Sequence, residues 1–320
     1  MSVDRLFGWT PFRAAVEHGE IVVDWCHLGA RRMTEPFFYE TIVNAMRQPF
    51  NLAFQKRTAA RVLAQLPPGI EPTGFVFHMS RCGSTLLSQA LAAFEGNIVV
   101  SESMPMRVML RAPAYIAPPR EDTDALVKGI VNAYAQPRFS YENRFFVKFM
   151  AADALDLPLI TRLFPDTPWI FIYRDPLEIL ASQQAMLGAD LMPGDLPPAR
   201  LGLDADPFAM DKIAYRSHVL AAFGRAALAS QAAGKSLFLD YSELPDALWE
   251  KIPAHFGFRL NASAEAHVRA VSTRNSKNPA VGFAADSAAK REAARQWRQT
   301  TDAIVGPVIE ALDKARNERL

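Results

Sequence analysis

From Thr73 onward, short β-prone runs alternate with helical stretches, and this alternation restricts the chain more than any other feature. GFVFHM (74–79) is a buried-strand pattern, STLLSQALAAF (84–94) a helix and NIVVS (97–101) a second strand. DTDALVKGIVNAYA (122–135) is an amphipathic helix, RFFVKFM (144–150) a strand, and LDLPLITRLF (155–164) a helix with Pro158 in its first turn. PWIFIYR (168–174) is strongly β-prone, PLEILASQQAML (176–187) opens a helix at Pro176, and KSLFLDY (235–241) is a last strand. Strands spaced by helices predict an α/β fold, a parallel sheet with helices on both faces. Ligands of such sheets sit beyond the carboxyl ends of the strands.

Outside this region the rhythm differs. Residues 1–70 are rich in aromatics (Phe7, Trp9, Phe12, Trp25, Phe37, Phe38, Tyr39, Phe50, Phe54) and read as a mainly helical N-terminal extension. PPGIEP (67–72) marks the boundary with a second domain, 71–320. The stretch 189–207 holds four prolines, two glycines and four aspartates, and is expected to be a long loop. Residues 286–320 read as a charged helical hairpin broken near Gly306–Pro307.

Composition removes several function classes. The chain has 320 residues, with 35 Lys plus Arg against 34 Asp plus Glu, a net charge of +1. That balance lacks the basic excess of a protein held on nucleic acid by bulk electrostatics, so no nucleic-acid partner is expected. Two cysteines, Cys26 and Cys82, are too few for a disulfide framework or a Cys-rich zinc site. The six histidines are scattered, and no metal is expected. No apolar run reaches the ~18–20 residues that span a bilayer. The N-terminus carries charges where a secretory signal has an apolar core. A cytoplasmic protein with no membrane partner is the expectation; oligomeric state is not indicated.

Two strings carry chemistry. HMSRCGSTLL (78–87) joins a strand to a helix through a glycine. Backbone N–H groups at such a helix start, with the helix dipole, favour an anion. Ser84 and Thr85 add hydroxyls, and Arg81 adds a forked cationic donor. Aligned on Gly83, the string has His78 and Ser84 where GxxxxGK[ST] needs glycine and lysine, which disfavours an ATP-type loop. In FPDTPWIFIYRDPLEILAS (164–182), Arg174 follows a strand directly and Ser182 stands eight positions later on the next helix. Both side chains suit a second phosphate, with Asp175 either orienting Arg174 or capping the helix. Taken alone, the first string also suits an ordinary helix cap and the second a surface turn.

In this order, a phosphate loop with an internal basic residue and then strand–Arg–x7–Ser, the chain resembles the sulfotransferase superfamily that uses 3′-phosphoadenosine 5′-phosphosulfate (PAPS). SRCGSTLL looks like the family's 5′-phosphosulfate loop and YRDPLEILAS like its 3′-phosphate motif. The resemblance covers about residues 73–280. It implies a P-loop-type, three-layer α/β fold with PAPS as co-substrate and no metal.

The resemblance also implies roles residue by residue. Arg81 matches the basic residue that contacts the sulfuryl group and the leaving phosphate. Arg81, Cys82, Gly83, Ser84 and Thr85 match the loop that cradles the 5′-phosphate, and Arg174 with Ser182 the pair that grips the 3′-phosphate. Lys148 resembles the lysine of the KxH pattern of the cytosolic branch, whose histidine position is held here by Met150. VVSESMPMR places Glu102 where the tyrosylprotein branch has a glutamate base, so the chain reads as closer to that branch, with Glu102 as general base. Tyr241, in LFLDYSEL, is implied near the adenosine. Ser276 and Lys277, in RNSKNP, are implied at the nucleotide phosphates, although the RKGxxGDW motif is absent.

The reaction so implied is in-line transfer of a sulfuryl group to a hydroxyl or amine of a small-molecule or peptide acceptor. Residues 1–70, 103–120 and 189–207 are the expected walls of the acceptor pocket. The alternatives are a P-loop small-molecule kinase and a non-catalytic nucleotide-binding protein of the same fold.

Overall fold

The computed structural model describes residues 6–318 except 117–119, 186, 233, 261, 273, 276–277 and 283–286. The chain divides into two compact units, Met1–Phe75 with Leu87–Met150, and Val76–Leu86 with Ala151–Leu320.

The first unit opens with an antiparallel hairpin, β1 (Trp9–Glu17) and β2 (Glu20–His27). Helices α1 (Phe38–Met46) and α2 (Pro49–Ala53) follow, and β3 (Lys56–Ala59) pairs with β2 to give the order β1-β2-β3. Where a mainly helical segment was expected, this sheet therefore comes first. The reason lies in the turn. His18 and Gly19 both have positive φ, 52° and 80°, the conformation a two-residue hairpin loop requires. Ile21, Val23 and Trp25 then alternate inward along β2.

Strand β4 (Pro72–His78) contributes residues to both units. It is followed by α3 (Ser84–Ala92), β5 (Asn97–Ser101), α4 (Met104–Leu110), α5 (Ala112–Tyr115), α6 (Arg120–Tyr134) and β6 (Arg144–Lys148). β5 and β6 run parallel, in register from Asn97↔Arg144 to Ser101↔Lys148.

The second unit contains α7 (Leu157–Leu163), β7 (Trp169–Tyr173), α8 (Pro176–Ala185), α9 (Pro198–Leu201), α10 (Lys212–Ala229) and β8 (Ser236–Asp240). α11 (Lys251–His255), α12 (Ala262–Ser272), α13 (Ser287–Ala293) and α14 (Arg298–Asn317) complete it. β7 and β8 are parallel. The strand order is β5-β6-β4-β7-β8, a five-stranded parallel sheet with helical connections, as the alternation predicted. All five residues of β7 are buried, so its side chains read as a continuous apolar run.

Two details differ from expectation. Helix α14 runs through Pro307; the break lies earlier, around Arg295–Trp297. Packing overrides the proline: Val305, Val308 and Leu312 are buried, and a Cβ on Gly224 of α10 would lie 2.4 Å from Val308 Cγ1. The 189–207 stretch is anchored by buried Leu191, Leu196 and Leu201 and by an Arg200–Asp156 ion pair at 2.6 Å. Among the described residues, no helix is long and apolar enough to cross a membrane.

Candidate functional site

The loop after β4 is held in an unusual backbone conformation. Ser80, Arg81 and Gly83 have φ of 72°, 50° and 85°. Left-handed geometry costs a non-glycine residue about 1–2 kcal/mol, so surrounding contacts must hold it. Met79 N donates to Ile172 O at 2.9 Å, which ties the end of β4 to β7. Ser80 N donates to His78 Nδ1 at 3.1 Å, and Gln183 Nε2 donates to Ser80 Oγ at 3.0 Å. The Cys82 thiol points inward to Ile172 O at 3.2 Å and is fully buried, so Cys82 offers a ligand only its backbone.

Gly83 is required twice over. Its φ is left-handed, and an added Cβ would lie 2.6 Å from Leu244 Cδ1 and 3.1 Å from Tyr241 Cδ2. Helix α3 starts at the next residue, with Ser84 and Thr85 buried in its first turn. The first N–H groups of a helix have no partner within it, and they carry the positive end of its dipole. A loop and helix start of this kind can accommodate an anion.

The second motif meets this loop. Arg81 Nε donates to Ser182 Oγ at 2.7 Å, and Arg174 Nη1 donates to the Arg81 carbonyl at 3.2 Å. Arg174 is buried at the end of β7, and its guanidinium carbon lies 3.9 Å from the centroid of the Tyr241 ring. Its Nε and Nη2 both reach Glu178 Oε2 at 2.6 Å. Arg291 Nη1, from α13, donates to the other oxygen, Glu178 Oε1, also at 2.6 Å. One buried carboxylate thus fixes two guanidiniums. Asp175 accepts from Leu177 N at 2.8 Å; of its two expected roles it takes the helix cap.

Arg81, Cys82, Gly83, Ser84, Thr85, Arg174, Ser182 and Tyr241 therefore lie in one cluster within the second unit. Ser276 and Lys277 lie outside the described residues. The sequence reading missed His78, Gln183, Glu178 and Arg291. Glu178 had a signal, standing four residues after Arg174 where a helix starting at Pro176 turns it back to the strand end. Arg291 had none, because its contact spans 113 residues.

The first unit holds the remaining pair. Glu102 follows β5 with φ 59°, and its N–H donates to Lys148 O at 2.8 Å. Lys148, at the end of β6, is 1% exposed, and its ammonium forms an ion pair with Glu102 Oε1. The same ammonium lies 5.2 Å from the Phe37 ring centroid. Ser103, rather than Glu102, caps α4: its Oγ accepts from Met106 N at 3.3 Å and shares a 2.5 Å hydrogen bond with the Tyr134 hydroxyl. Burial raises the Tyr134 pKa far above that of an ordinary phenol. Met150 accepts a hydrogen bond on sulfur from Arg107 Nη1 at 3.6 Å. No group of three or more His, Cys, Asp or Glu side chains among the described residues is placed to hold a metal ion.

No family model matches the chain. No curated protein matches it either. Among solved structures it is similar to a sulfotransferase from Alicyclobacillus acidocaldarius, at 12% identity over 77% of this chain and 96% of that one, with a TM-score of 0.44. It is similar to the sulfotransferase domain of the Synechococcus PCC 7002 olefin synthase, at 16% identity over 78% and 95%, TM-score 0.43. It is also similar to mouse sulfotransferase SULT7A1 complexed with PAP, at 12% identity over 80% and 92%, TM-score 0.43.

Proposed function

We propose that this chain is a PAPS-dependent sulfotransferase acting on a hydroxyl or amine acceptor. The observation that carries this reading is the meeting of the two motifs, in which Arg81 of the phosphate loop is bonded to Ser182 and capped by Arg174. The donor set fits a nucleotide with two separate phosphates. The loop 81–85 and the start of α3 suit one, and Arg174 with Ser182 suits the other. Tyr241, stacked on Arg174 and packed on Gly83, supplies an aromatic face beside both.

In such a transfer the sulfur–oxygen bond to the 5′-phosphate breaks and a bond to the acceptor oxygen or nitrogen forms. The protein's work is positioning and charge stabilisation, as in phosphoryl transfer. Arg81 offers a cation to the leaving phosphate. By the resemblance, Lys148 stabilises the transferring group and Glu102 removes the acceptor proton. Their ion pair supports that assignment, because it sets a carboxylate beside a buried ammonium at the ends of two adjacent strands. The acceptor is a small molecule or a peptide.

Ligand-dependent melting tests the reading, with 3′,5′-adenosine bisphosphate, the desulfated product, set against ADP, AMP and ATP with Mg²⁺. A ligand at ~100 times its Kd adds ~2.7 kcal/mol of stability. A raised midpoint with the bisphosphate but not with ADP or AMP is the expected result. A shift with ATP and Mg²⁺ only would replace this reading with a kinase.

A further inference from the structure

The segment that leads out of β2 carries two adjacent arginines that the proposed reaction does not use. Arg31 and Arg32, with Leu28, Ala30, Thr34 and Gln48, line an open cavity of about 560 Å³ in the first unit. None of these residues is an acid. Arg32 Nη2 donates to the carbonyls of Ala92 and Phe94, at 2.9 and 2.6 Å, where α3 ends ahead of β5. The Arg31 carbonyl accepts from Arg138 Nη1 at 2.7 Å, ahead of β6. Glu102 and Lys148 stand at the other ends of β5 and β6, about 15 Å away along strands of this length. The cavity is therefore anchored at the opposite end of these strands from that ion pair.

Both guanidiniums are short of acceptors, and in the same way. Arg31 Nη1 is bonded to Glu35 Oε1 at 3.0 Å, and Arg32 Nη2 to the two carbonyls. Arg31 Nε and Arg32 Nε are buried with no hydrogen-bond partner. Arg31 Nη2 and Arg32 Nη1 have no partner among the described residues and are not buried, so each guanidinium keeps one open corner. Thr34 and Gln48 are exposed and add a hydroxyl and an amide to the cavity wall. Folded proteins leave few donors unmet, and each one calls for an explanation.

The nearby acids are already engaged. Glu35 accepts from Thr41 Oγ1 at 2.5 Å and from Asn44 Nδ2 at 3.2 Å as well as from Arg31. Burial raises the Glu35 pKa, but these bonds outweigh burial and hold it below the ordinary value, so Glu35 stays a carboxylate committed to Arg31. Glu142 is paired with Arg138, whose pKa is lowered by burial and, further, by the charge of Arg32. Arg31, Arg32 and Arg138 thus set three cations against two carboxylates, and Arg32 is met only by main-chain carbonyls. We propose that Arg31 and Arg32 hold the phosphate group of a small molecule in this cavity. Two guanidinium corners, a hydroxyl and an amide are more donor groups than a carboxylate has oxygens, whereas a phosphate group presents three oxygens and a second charge. Leu28 and Ala30 supply an apolar wall, and the volume leaves room for the rest of the molecule.

Amide nitrogen–proton correlation spectra of the full chain test the proposal, with inorganic phosphate as the probe and with acetate and chloride at matched ionic strength beside it. Phosphate is expected to shift the amides of Arg32, Thr34 and Gln48 in a saturable manner, with a Kd at or below about 1 mM. Arg31→Gln should weaken this binding at least about tenfold. Thr34→Val, a change at an exposed position, should weaken it as well and guards against a folding defect in the first variant. Phosphate that enters the loop 81–85 is read separately, at the amides of Ser84 and Thr85. Arg81→Ala should leave the shifts at Thr34 and Gln48 unchanged, so failure here and failure of the nucleotide reading are distinguishable. No shift at Arg32, Thr34 and Gln48 with phosphate overturns the proposal. So does an equal shift with acetate or chloride, since the cavity would then answer to any anion or to ionic strength alone.

Discussion

Arg81 and Ser182 are hydrogen-bonded, Nε to Oγ at 2.7 Å, although 101 residues separate them. The serine holds Arg81 of the loop after β4, so the two motifs meet in one cluster; under the proposed function they would bind nucleotide together and not as independent phosphate contacts. Ser182→Ala is therefore expected to release Arg81 as well as to remove a hydroxyl. Calorimetric titration should show the Kd for 3′,5′-adenosine bisphosphate rising about tenfold, or ~1.4 kcal/mol, with ADP little affected. Equal weakening of both ligands would place Ser182 outside the second phosphate subsite.

Gly83 meets a conformational and a steric demand together. At φ +85°, with Leu244 Cδ1 2.6 Å from the position of an added Cβ, Gly83→Ala is expected to cost at least about 2 kcal/mol. Urea unfolding should show a lower midpoint at unchanged slope. Adding Leu244→Ala should recover only the steric share and leave the backbone strain in place.

The alternation of strands and helices from Thr73 was legible because the β-prone runs are mostly buried, those of β5 and β7 wholly so, and helices such as α7 and α8 carry a start signal in Pro158 and Pro176. The meeting of Arg81, Gly83, Arg174 and Ser182 was legible because glycine, arginine and serine stand at fixed offsets from strand ends. The hairpin at 9–27 was misread because its aromatics were weighed for burial while the His18–Gly19 turn was passed over. The length of α14 was misread because Pro307 was weighed as a local breaker, whereas the packing of Val308 on Gly224 is a tertiary fact. Arg291 was invisible for the same reason, since nothing local ties α13 to Glu178.

Glu102→Gln keeps the shape of the side chain and removes its charge. If Glu102 is the base, turnover should fall by about 10²–10⁴ while the nucleotide-induced rise in melting midpoint persists. Release of 3′,5′-adenosine bisphosphate from PAPS across a panel of phenols, alcohols and amines measures this. Undiminished turnover would remove Glu102 from the chemistry, and the Lys148 ion pair would then be structural.

Asp24 on β2 joins the three strands of the N-terminal sheet through Arg13 on β1 and Arg57 on β3, at 2.5 and 2.6 Å. Burial pushes its pKa up, but the hydrogen bonds and charges of Arg57 and Arg13 outweigh burial and hold it below the ordinary 3.8. A carboxyl with a depressed folded-state pKa contributes stability above its unfolded value, and loses it as pH falls through the folded value. Asp24→Asn should therefore cost about 1 kcal/mol near neutrality, and its melting midpoint should converge on that of the parent as pH falls below the ordinary 3.8 and through the lower folded value. A constant difference across that range would mean that packing, not charge, sets the cost.

Glu178 stands between two arginines of different exposure. Arg174 is buried, with 6% of its side chain exposed, whereas the Arg291 side chain is 46% exposed. Removing the carboxylate takes the charged partner from a desolvated guanidinium that keeps its contacts to the Arg81 carbonyl and the Tyr241 ring, and breaking a buried pair typically costs about 3–5 kcal/mol. Removing Arg291 leaves Glu178 still paired with Arg174. Glu178→Ala is accordingly expected to cost at least about 3 kcal/mol, and Arg291→Ala less than about 1 kcal/mol, in the absence of nucleotide. A thermodynamic cycle over the two single variants and the double variant separates these contributions. Similar costs for both singles would show that α13, through Arg291, holds the arginine cluster as firmly as Arg174 does.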